Sequence, residues 1–234
     1  MENILRLSVQ RRSLPAREID FRVERQFNAG WVGRDRKALQ HHIDELARLG
    51  VPAPKHIPTL FSLGNHLLAT SESIQVHGEE TSGEVEWVLL RHRGEMLIGV
   101  GSDHTDRKLE IHSVPKAKNM CLNVMAPSVW PYEEVKEHFD RLVLECTVEK
   151  DGETRLYQRD ICGAILDPTY WTRFLEKRLG ALEDGFVLFS GTIGTLGGLV
   201  MGKAYGFSII DPVLKRSISH RYACTVMTGA IEDY

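Results

Sequence analysis

Alternation of apolar and polar residues dominates the chain, and it predicts β-strands with one buried face. Residues 4–9 and 19–23 alternate in this way on either side of a turn near Pro15. The Lys-Asp-Gly-Glu stretch at residues 150–153 is typical of a tight hairpin turn between two strands. Further strand candidates lie at residues 74–76, 84–91, 96–101, 142–149 and 186–190.

A helix is predicted where the hydrophobic period lengthens after the first strands. Leu39, Ile43 and Leu46 recur at helical spacing, Asp35 can cap the start, and Gly50 can end the helix. Two shorter helices, each with a proline at its start, are predicted at residues 131–139 and at about 168–179. These elements predict a strand-rich α+β fold with a helical insert near the N-terminus.

Charge and composition narrow the classes of function. The 234 residues carry 29 Lys and Arg against 32 Asp and Glu, and this net charge of −3 gives no overall attraction to nucleic acid or anionic membranes. No apolar run approaches the roughly 20 residues of a membrane span, and the first residues lack the pattern of a signal peptide. We therefore expect a soluble, cytoplasmic protein.

The cysteines lack the spacing of a metal-binding or redox motif. Buried, inert thiols are the favoured interpretation, ahead of disulfides or a zinc site. The four positions are Cys121, Cys146, Cys162 and Cys224.

Three carboxylates form the clearest candidate for chemistry. Glu84 and Glu86 are two residues apart on a predicted strand and therefore share a face, and Asp103 follows seventeen positions later. Three converging carboxylates need a cation between them, and an all-oxygen set selects Mg²⁺, Mn²⁺ or Ca²⁺. The alternative is an exposed hairpin in which both glutamates are solvated and Asp103 lies in a turn. The pattern alone leaves both interpretations open.

The same residues resemble the core signature of the fumarylacetoacetate hydrolase superfamily. The matching segments are Glu84-Val85-Glu86, then Asp103-His104-Thr105-Asp106-Arg107, then Lys118 ahead of Ala126-Pro127. The stretch from Leu182 to Thr192 resembles the family's hydrophobic strand with its Gly-Thr loop, and the turn at 150–153 with Gln158 resembles another family element. The resemblance covers roughly residues 74–210.

The resemblance implies a single catalytic domain over residues 1–234. Residues 1–70 would form N-terminal strands and a lid helix, and residues 71–234 a β-rich metal-binding core of mixed β-roll and β-sandwich type. It favours the metal site over the exposed hairpin, with Glu84, Glu86 and Asp103 as ligands of Mg²⁺, or of Mn²⁺ or Ca²⁺.

Further site residues follow from the resemblance. Val32-Gly33-Arg34-Asp35 and the His42 and Glu45 pair resemble the family's lid segment, in which a His–Glu dyad activates water. A partly buried structural histidine is the alternative for His42. Lys118 would be the electrophile, with Lys116 as its competitor. Gly191, Thr192 and Arg107 are the candidate substrate-binding residues, and Arg107 could instead support Asp103.

Three departures set the chain apart from the family pattern. Only a short turn at residues 91–95 separates the glutamate strand from the aspartate strand, where the family has a helix. Ile193 replaces the proline of the Gly-Thr-Pro loop, and Met120-Cys121 replace a Phe-Asp pair after the lysine.

The expected function is therefore that of a metal-dependent enzyme. It would act on a β-dicarbonyl or 2-oxo acid through a metal-stabilised enolate, with hydrolysis of a C–C bond favoured. Decarboxylation, isomerisation or hydration on the same site, or a non-catalytic ligand-binding role, are the alternatives. The resemblance also predicts a homodimer that binds a small oxo acid.

Overall fold

The fold consists of two curled, mixed β-sheets with short helices between and beside their strands. This computed structural model describes residues 2–37, 39–40, 43–44 and 54–227. Within these residues, the first sheet has ten strands and the second has five. The strands are β1 (Ile4–Val9), β2 (Arg17–Arg22), β3 (Arg25–Gly30), β4 (Thr59–Leu63), β5 (Leu68–Ala69), β6 (Ser73–His77), β7 (Thr81–His92), β8 (Glu95–Asp106), β9 (Asn123–Met125), β10 (Ser128–Pro131), β11 (Val143–Lys150), β12 (Glu153–Ile161), β13 (Phe186–Phe189), β14 (Ala204–Asp211) and β15 (Arg216–Met227).

A long hairpin of β7 and β8 forms the centre of the larger sheet, whose path runs β2-β1-β10-β8-β7-β13-β3-β4. Its turn has positive φ at Arg93 and Gly94, as a two-residue hairpin turn requires. The short connection predicted at residues 91–95 is confirmed. Strands from the first 70 residues thus share a sheet with the central hairpin.

The smaller sheet has the order β12-β11-β14-β15-β6. The hairpin of β11 and β12 turns at Asp151 and Gly152, both with positive φ, which confirms the turn predicted at residues 150–153. A large apolar core lies against this sheet and one face of β7 and β8, with Trp87 in edge-to-face contact with Phe139. The other face of the central hairpin belongs to a second apolar cluster, in which Val88 and Leu90 join side chains from β1 and β2.

The helices agree only in part with the sequence pattern. Helix α3 (Pro168–Leu179) begins as predicted, with the Asp167 carboxylate accepting a hydrogen bond from the Tyr170 amide. The helix predicted at residues 131–139 is wrong, because the chain forms 3₁₀ turns at Tyr132–Glu134 and Lys136–Arg141. Two helices were not predicted, namely α1 (Arg107–Glu110) and α2 (Val114–Lys118).

The N-terminal helix is only partly described. Residues 36–37, 39–40 and 43–44 are helical, and Leu39 and Ile43 are buried, in agreement with the predicted apolar side. Leu46 and Gly50 lie outside the described residues.

The cysteines are all unpaired. Cys121, Cys146 and Cys162 are buried, whereas Cys224 is partly exposed, so the prediction of four buried thiols holds for three of them. Within the described part of the chain, no helix is long and apolar enough to span a membrane.

Candidate active site

The three predicted carboxylates lie on one face of the central hairpin. Glu84 pairs with Asp103 across β7 and β8, and Glu86 pairs with Gly101, so their side chains project to the same side of the sheet. Glu86 is 1% exposed and Asp103 is fully buried on its strand. The alternative of a solvated hairpin with Asp103 in a turn is therefore wrong.

Glu86 is a buried carboxylate held by the glycine loop. Its Oε2 accepts a hydrogen bond of 2.8 Å from the Gly191 amide. Burial, together with the nearby charge of Asp103, raises the pKa of Glu86 well above its ordinary value, although Lys118 opposes the shift. A cation that reaches this position would stabilise the charged form of the carboxylate.

Asp103 is held in its charged form by its neighbours. Burial alone would raise the pKa of Asp103, but the Lys118 ammonium and the Asn28 amide outweigh burial and lower it. Thr105 donates a long hydrogen bond of 3.4 Å to the same carboxylate. Asn28 Nδ2 makes no regular hydrogen bond within the described residues. It therefore acts on Asp103 as a nearby polar group and not through a well-formed hydrogen bond.

Lys118 is the last residue of α2 and projects into the carboxylate face. It forms an ion pair with Asp103 and lies 5.8 Å from the centre of the Phe61 ring. Burial disfavours the ammonium, but Asp103 and Glu86 outweigh burial and raise the pKa of Lys118. Lys116 is exposed on the same helix. The structure thus favours Lys118 over its competitor as the cation of the site.

Glu84 has a different partner from the other two carboxylates. Its Oε2 lies 2.9 Å from Nη2 of Arg107, whose Nη1 donates to Glu110 and whose Nε donates to Ser82. Burial disfavours the Arg107 charge, yet Glu84 and Glu110 outweigh burial and raise its pKa. Arg107 begins α1 rather than continuing β8, so it supports Glu84 directly and Asp103 only through its charge.

The Gly191-Thr192 loop is fastened to the glutamate strand. Thr192 Oγ1 donates a 2.8 Å hydrogen bond to the Val85 carbonyl, while the Gly191 amide bonds Glu86. Gly191 has a φ of +77°, and a Cβ there would lie 2.7 Å from a Val32 methyl group, so only glycine fits.

Gln158, which is fully buried on β12, clamps this loop from the smaller sheet. Its Oε1 accepts from the Val85 amide at 2.9 Å, and its Nε2 donates at 2.8 Å to both Thr192 Oγ1 and the Ile193 carbonyl. The sequence marked Gln158 only as part of a family element. Its clamping role depends on a contact between two sheets, which no local pattern reveals.

Two buried asparagines contribute to the site although the sequence pattern does not indicate them. Asn28 pairs with Phe189 across β3 and β13, and Phe189 pairs with Val88, so Asn28 faces the same side as the carboxylates. Asn123 Nδ2 donates a 2.9 Å hydrogen bond to Asn28 Oδ1. Both side chains are fully buried. Alternating polar residues on a strand usually indicate an exposed face, which is why neither residue was recognised.

His104 points away from the carboxylates, because it is adjacent to Asp103 on β8 and neighbouring residues of a strand face opposite sides. Its ring nitrogens lie 2.9 Å from the Tyr222 hydroxyl and from Thr81 Oγ1. Burial, with a contribution from the Arg107 charge, lowers its pKa to about 3. His104 is therefore a neutral structural residue between the two sheets.

Comparison with protein families identifies the chain. Residues 29–222 match the family described as "Protein of unknown function (DUF2848)". The chain belongs to the DUF2848 family. No curated protein matches its sequence significantly.

Solved structures with the same fold include proteins of the fumarylacetoacetate hydrolase family, and they confirm the expected fold of this DUF2848 chain. A yeast fumarylacetoacetate hydrolase family protein is 16% identical, with a TM-score of 0.62, over 91% of this chain and 97% of the other. A 2-keto-3-deoxyarabinonate dehydratase is 16% identical, with a TM-score of 0.66, over 88% and 75% of the two chains. A 2-keto-3-deoxy-D-arabinonate dehydratase complexed with magnesium and 2,5-dioxopentanoate is 17% identical, with a TM-score of 0.61, over 87% and 73%.

The predicted His42–Glu45 dyad lies outside the described residues. The segment that leads to it is described: Arg34 donates two hydrogen bonds to Asp140 and forms an ion pair with Asp167. The start of this segment is therefore tied to the body of the DUF2848 fold, and the dyad stays a prediction.

The donor chemistry of the site fits a hard divalent cation. Glu86 and Asp103 supply buried carboxylate oxygens, and Asn123 Oδ1 is a buried acceptor without a hydrogen-bond partner among the described residues. Such an unpaired buried acceptor costs about 1–3 kcal/mol. Oxygen ligands of this kind suit Mg²⁺, Mn²⁺ or Ca²⁺. In the described ranges no three acidic, histidine or cysteine side chains are arranged as a metal site, so the ligand set stays a prediction.

Proposed function

We propose that this DUF2848 protein is a divalent-metal-dependent enzyme that acts on a β-dicarbonyl or 2-oxo acid. The observation that carries the proposal is the buried pair of Glu86 and Asp103, which share one sheet face with the Lys118 ammonium. A neighbour of the same fold is complexed with magnesium and 2,5-dioxopentanoate, which supports this class of ligand.

The proposed division of labour follows from the charges. A bound Mg²⁺ would polarise substrate oxygens and stabilise the negative charge of an enolate. Lys118 supplies a fixed positive charge for a substrate carboxylate or for charge that develops during the reaction. Gly191 and Thr192 hold the loop beside Glu86, and Arg107 forms an ion pair with Glu84 that orients its side chain.

Hydrolysis of a C–C bond is the reaction we propose first. It requires a residue that removes a proton from water, and the His42–Glu45 pair is the proposed base, with Glu45 fixing the tautomer of His42. Decarboxylation, isomerisation and hydration on the same site are the alternatives. The dehydratase neighbours support dehydration, the reverse of hydration, as the second candidate. We propose a single catalytic domain over residues 1–234, a homodimer and a cytoplasmic location.

Binding of metal and of an enolate mimic tests the proposal. We expect Mg²⁺ or Mn²⁺ to raise the melting temperature of the wild-type protein, and oxalate to raise it further only when the metal is present. Glu86→Gln should abolish both shifts, whereas Glu79→Gln, at an exposed glutamate, should preserve them. If neither metal nor oxalate shifts the wild-type melting temperature, the enzyme proposal is wrong and a non-catalytic role is preferred.

A further inference from the structure

Asn123 lies next to Asp103 on the carboxylate face. Strands β8 and β9 are antiparallel, with Gly101 opposite Met125 and Ser102 opposite Val124. Continuing this register by one residue places Asn123 opposite Asp103, and residues opposite each other share a sheet face. The packing agrees, because Met125 belongs to the same apolar cluster as Val88 and Phe189.

The orientation of the Asn123 amide follows from its neighbours. Beside the Asp103 carboxylate, Asn28 is better placed with its NH₂ group toward the negative charge, which leaves Asn28 Oδ1 as the acceptor for Asn123. Asn123 Nδ2 occupies that acceptor at 2.9 Å. Reversing Asn28 would turn its oxygen toward the Asp103 carboxylate, and reversing Asn123 would turn its oxygen toward Asn28 Oδ1. These contacts therefore fix Asn123 Oδ1 as the atom without a partner.

Asn123 Oδ1 is a fully buried oxygen with no hydrogen-bond donor among the described residues. Buried acceptors in folded proteins are nearly always paired, so this oxygen calls for a partner. A carboxamide oxygen is a ligand for hard cations, and because it is neutral it adds no repulsion to Glu86 and Asp103.

We propose that Asn123 Oδ1 is an additional ligand of the divalent cation, next to Glu86 and Asp103. This inference rests on the proposed metal-dependent function. Glu84, which is paired with Arg107, lies at the edge of the same face. The set then draws its oxygens from three neighbouring strands, β7, β8 and β9, and the bond from Asn123 to Asn28 orients the neutral ligand.

The metal affinity of two Asn123 variants tests the assignment without any substrate. We expect Asn123→Ala to weaken Mn²⁺ binding at least tenfold by calorimetry or by electron paramagnetic resonance of the free ion. Asn123→Asp should stay within about threefold of wild type, or bind more tightly, because it keeps an oxygen at the same position. Both variants lose the hydrogen bond donated to Asn28, so their difference in affinity reports the oxygen at position 123 together with the charge that Asp adds.

Gln26→Leu is the matched control for removing a buried amide. Gln26 is 2% exposed, and its amide is likewise unpaired in the described residues. It lies opposite Val187 and Leu63 on the neighbouring strands, away from Glu86. The Gln26→Leu substitution should leave the Mn²⁺ affinity unchanged. Circular dichroism and a melting curve confirm the fold of each variant, and Asn123→Ser replaces Asn123→Ala if the alanine variant fails to fold.

The outcomes separate this inference from the proposed function. If wild type binds Mn²⁺, Glu86→Gln abolishes binding and Asn123→Ala binds as wild type does, then Asn123 is not a ligand while the metal site stands. If Asn123→Asp is as weak as Asn123→Ala, the amide acts through Asn28 and the ligand assignment is overturned. If wild type binds no divalent cation, both proposals fail.

Discussion

Lys118 reaches Asp103 from the end of a short helix and forms a buried ion pair with it. Lys118 neutralises one of two adjacent buried carboxylates, and its positive charge also acts on the other, Glu86. The protein therefore carries a positive charge of its own at the place where we propose a divalent cation. Removing either charge should be costly, because a single buried charge without its partner is strongly destabilising.

Lys118→Met should destabilise the metal-free protein. It leaves Asp103 and Glu86 without a compensating charge, and breaking a buried ion pair in this way costs about 3–5 kcal/mol. Urea unfolding in EDTA measures the change, and added Mg²⁺ should restore part of the loss. Lys116→Met, at the exposed lysine of the same helix, should change the free energy of unfolding by less than about 0.5 kcal/mol. Equal effects of the two variants would contradict the buried pair.

Glu86 should make the metal-free protein less stable as the pH rises. Its pKa in the folded state lies above the ordinary value of 4.5, so the folded protein binds its proton more tightly than the unfolded chain. The resulting stabilisation is fully present below pH 4.5 and is lost as the pH rises through the folded pKa. Glu86→Gln should remove this loss, as should saturating Mg²⁺. If the stability of wild type and of Glu86→Gln shows the same pH dependence, this prediction is wrong.

His104 should contribute to acid denaturation with the opposite sign. Burial lowers its pKa from 6.5 to about 3, so the unfolded chain takes up a proton that the folded protein excludes. The contribution of His104 to the free energy of unfolding is fully present above pH 6.5 and is lost as the pH falls toward 3. At about 1.4 kcal/mol per pH unit, the total loss is on the order of 5 kcal/mol. His104→Gln should be less stable at neutral pH but lose less on acidification. His77→Gln, at an exposed histidine, should keep the wild-type slope.

Gln158→Leu should loosen the Gly191-Thr192 loop. The substitution leaves the Val85 amide and the Ile193 carbonyl without their partner, at a cost of about 2–6 kcal/mol for the two groups. Amide hydrogen exchange should accelerate at residues 191–196, while exchange in the strand pair β14 and β15 changes only with global stability. Arg155→Ala, at an exposed residue of the same strand, serves as the control. Unchanged loop exchange in Gln158→Leu would show that the clamp is dispensable.

His42→Ala should separate hydrolysis from the other reactions. If His42 activates water, the variant should lose about 10²-fold or more in kcat on a β-dicarbonyl that wild type cleaves. Its Mn²⁺ affinity should remain that of wild type, because the histidine is not a proposed ligand. His41→Ala, at the neighbouring histidine, controls for disturbance of the segment. Full activity in His42→Ala, with activity lost in Glu86→Ala, would exclude the hydrolytic mechanism and favour dehydration, decarboxylation or isomerisation.

Strand alternation was enough to predict the central hairpin and the shared face of Glu84 and Glu86. These features depend on residues close in sequence, where the two-residue period of a strand leaves little freedom. Strand β8 ends before Arg107, because Asp106 caps a helix by accepting a hydrogen bond from the Leu109 amide. The helix predicted at residues 131–139 was wrong, because a proline at the start is consistent with 3₁₀ turns as well as with an α-helix.

The sequence by itself determined the strand-rich α+β class, the family resemblance and the identity of the carboxylates, because these are local or ordered along the chain. Only the tertiary structure decided which charges pair, joining Lys118 to Asp103 and Arg107 to Glu84. It also brought Asn28 to Asn123 across 95 positions of sequence. A polar residue on a strand is the same in sequence whether it faces water or a buried site, and the difference arises only when neighbouring strands and the second sheet remove it from solvent.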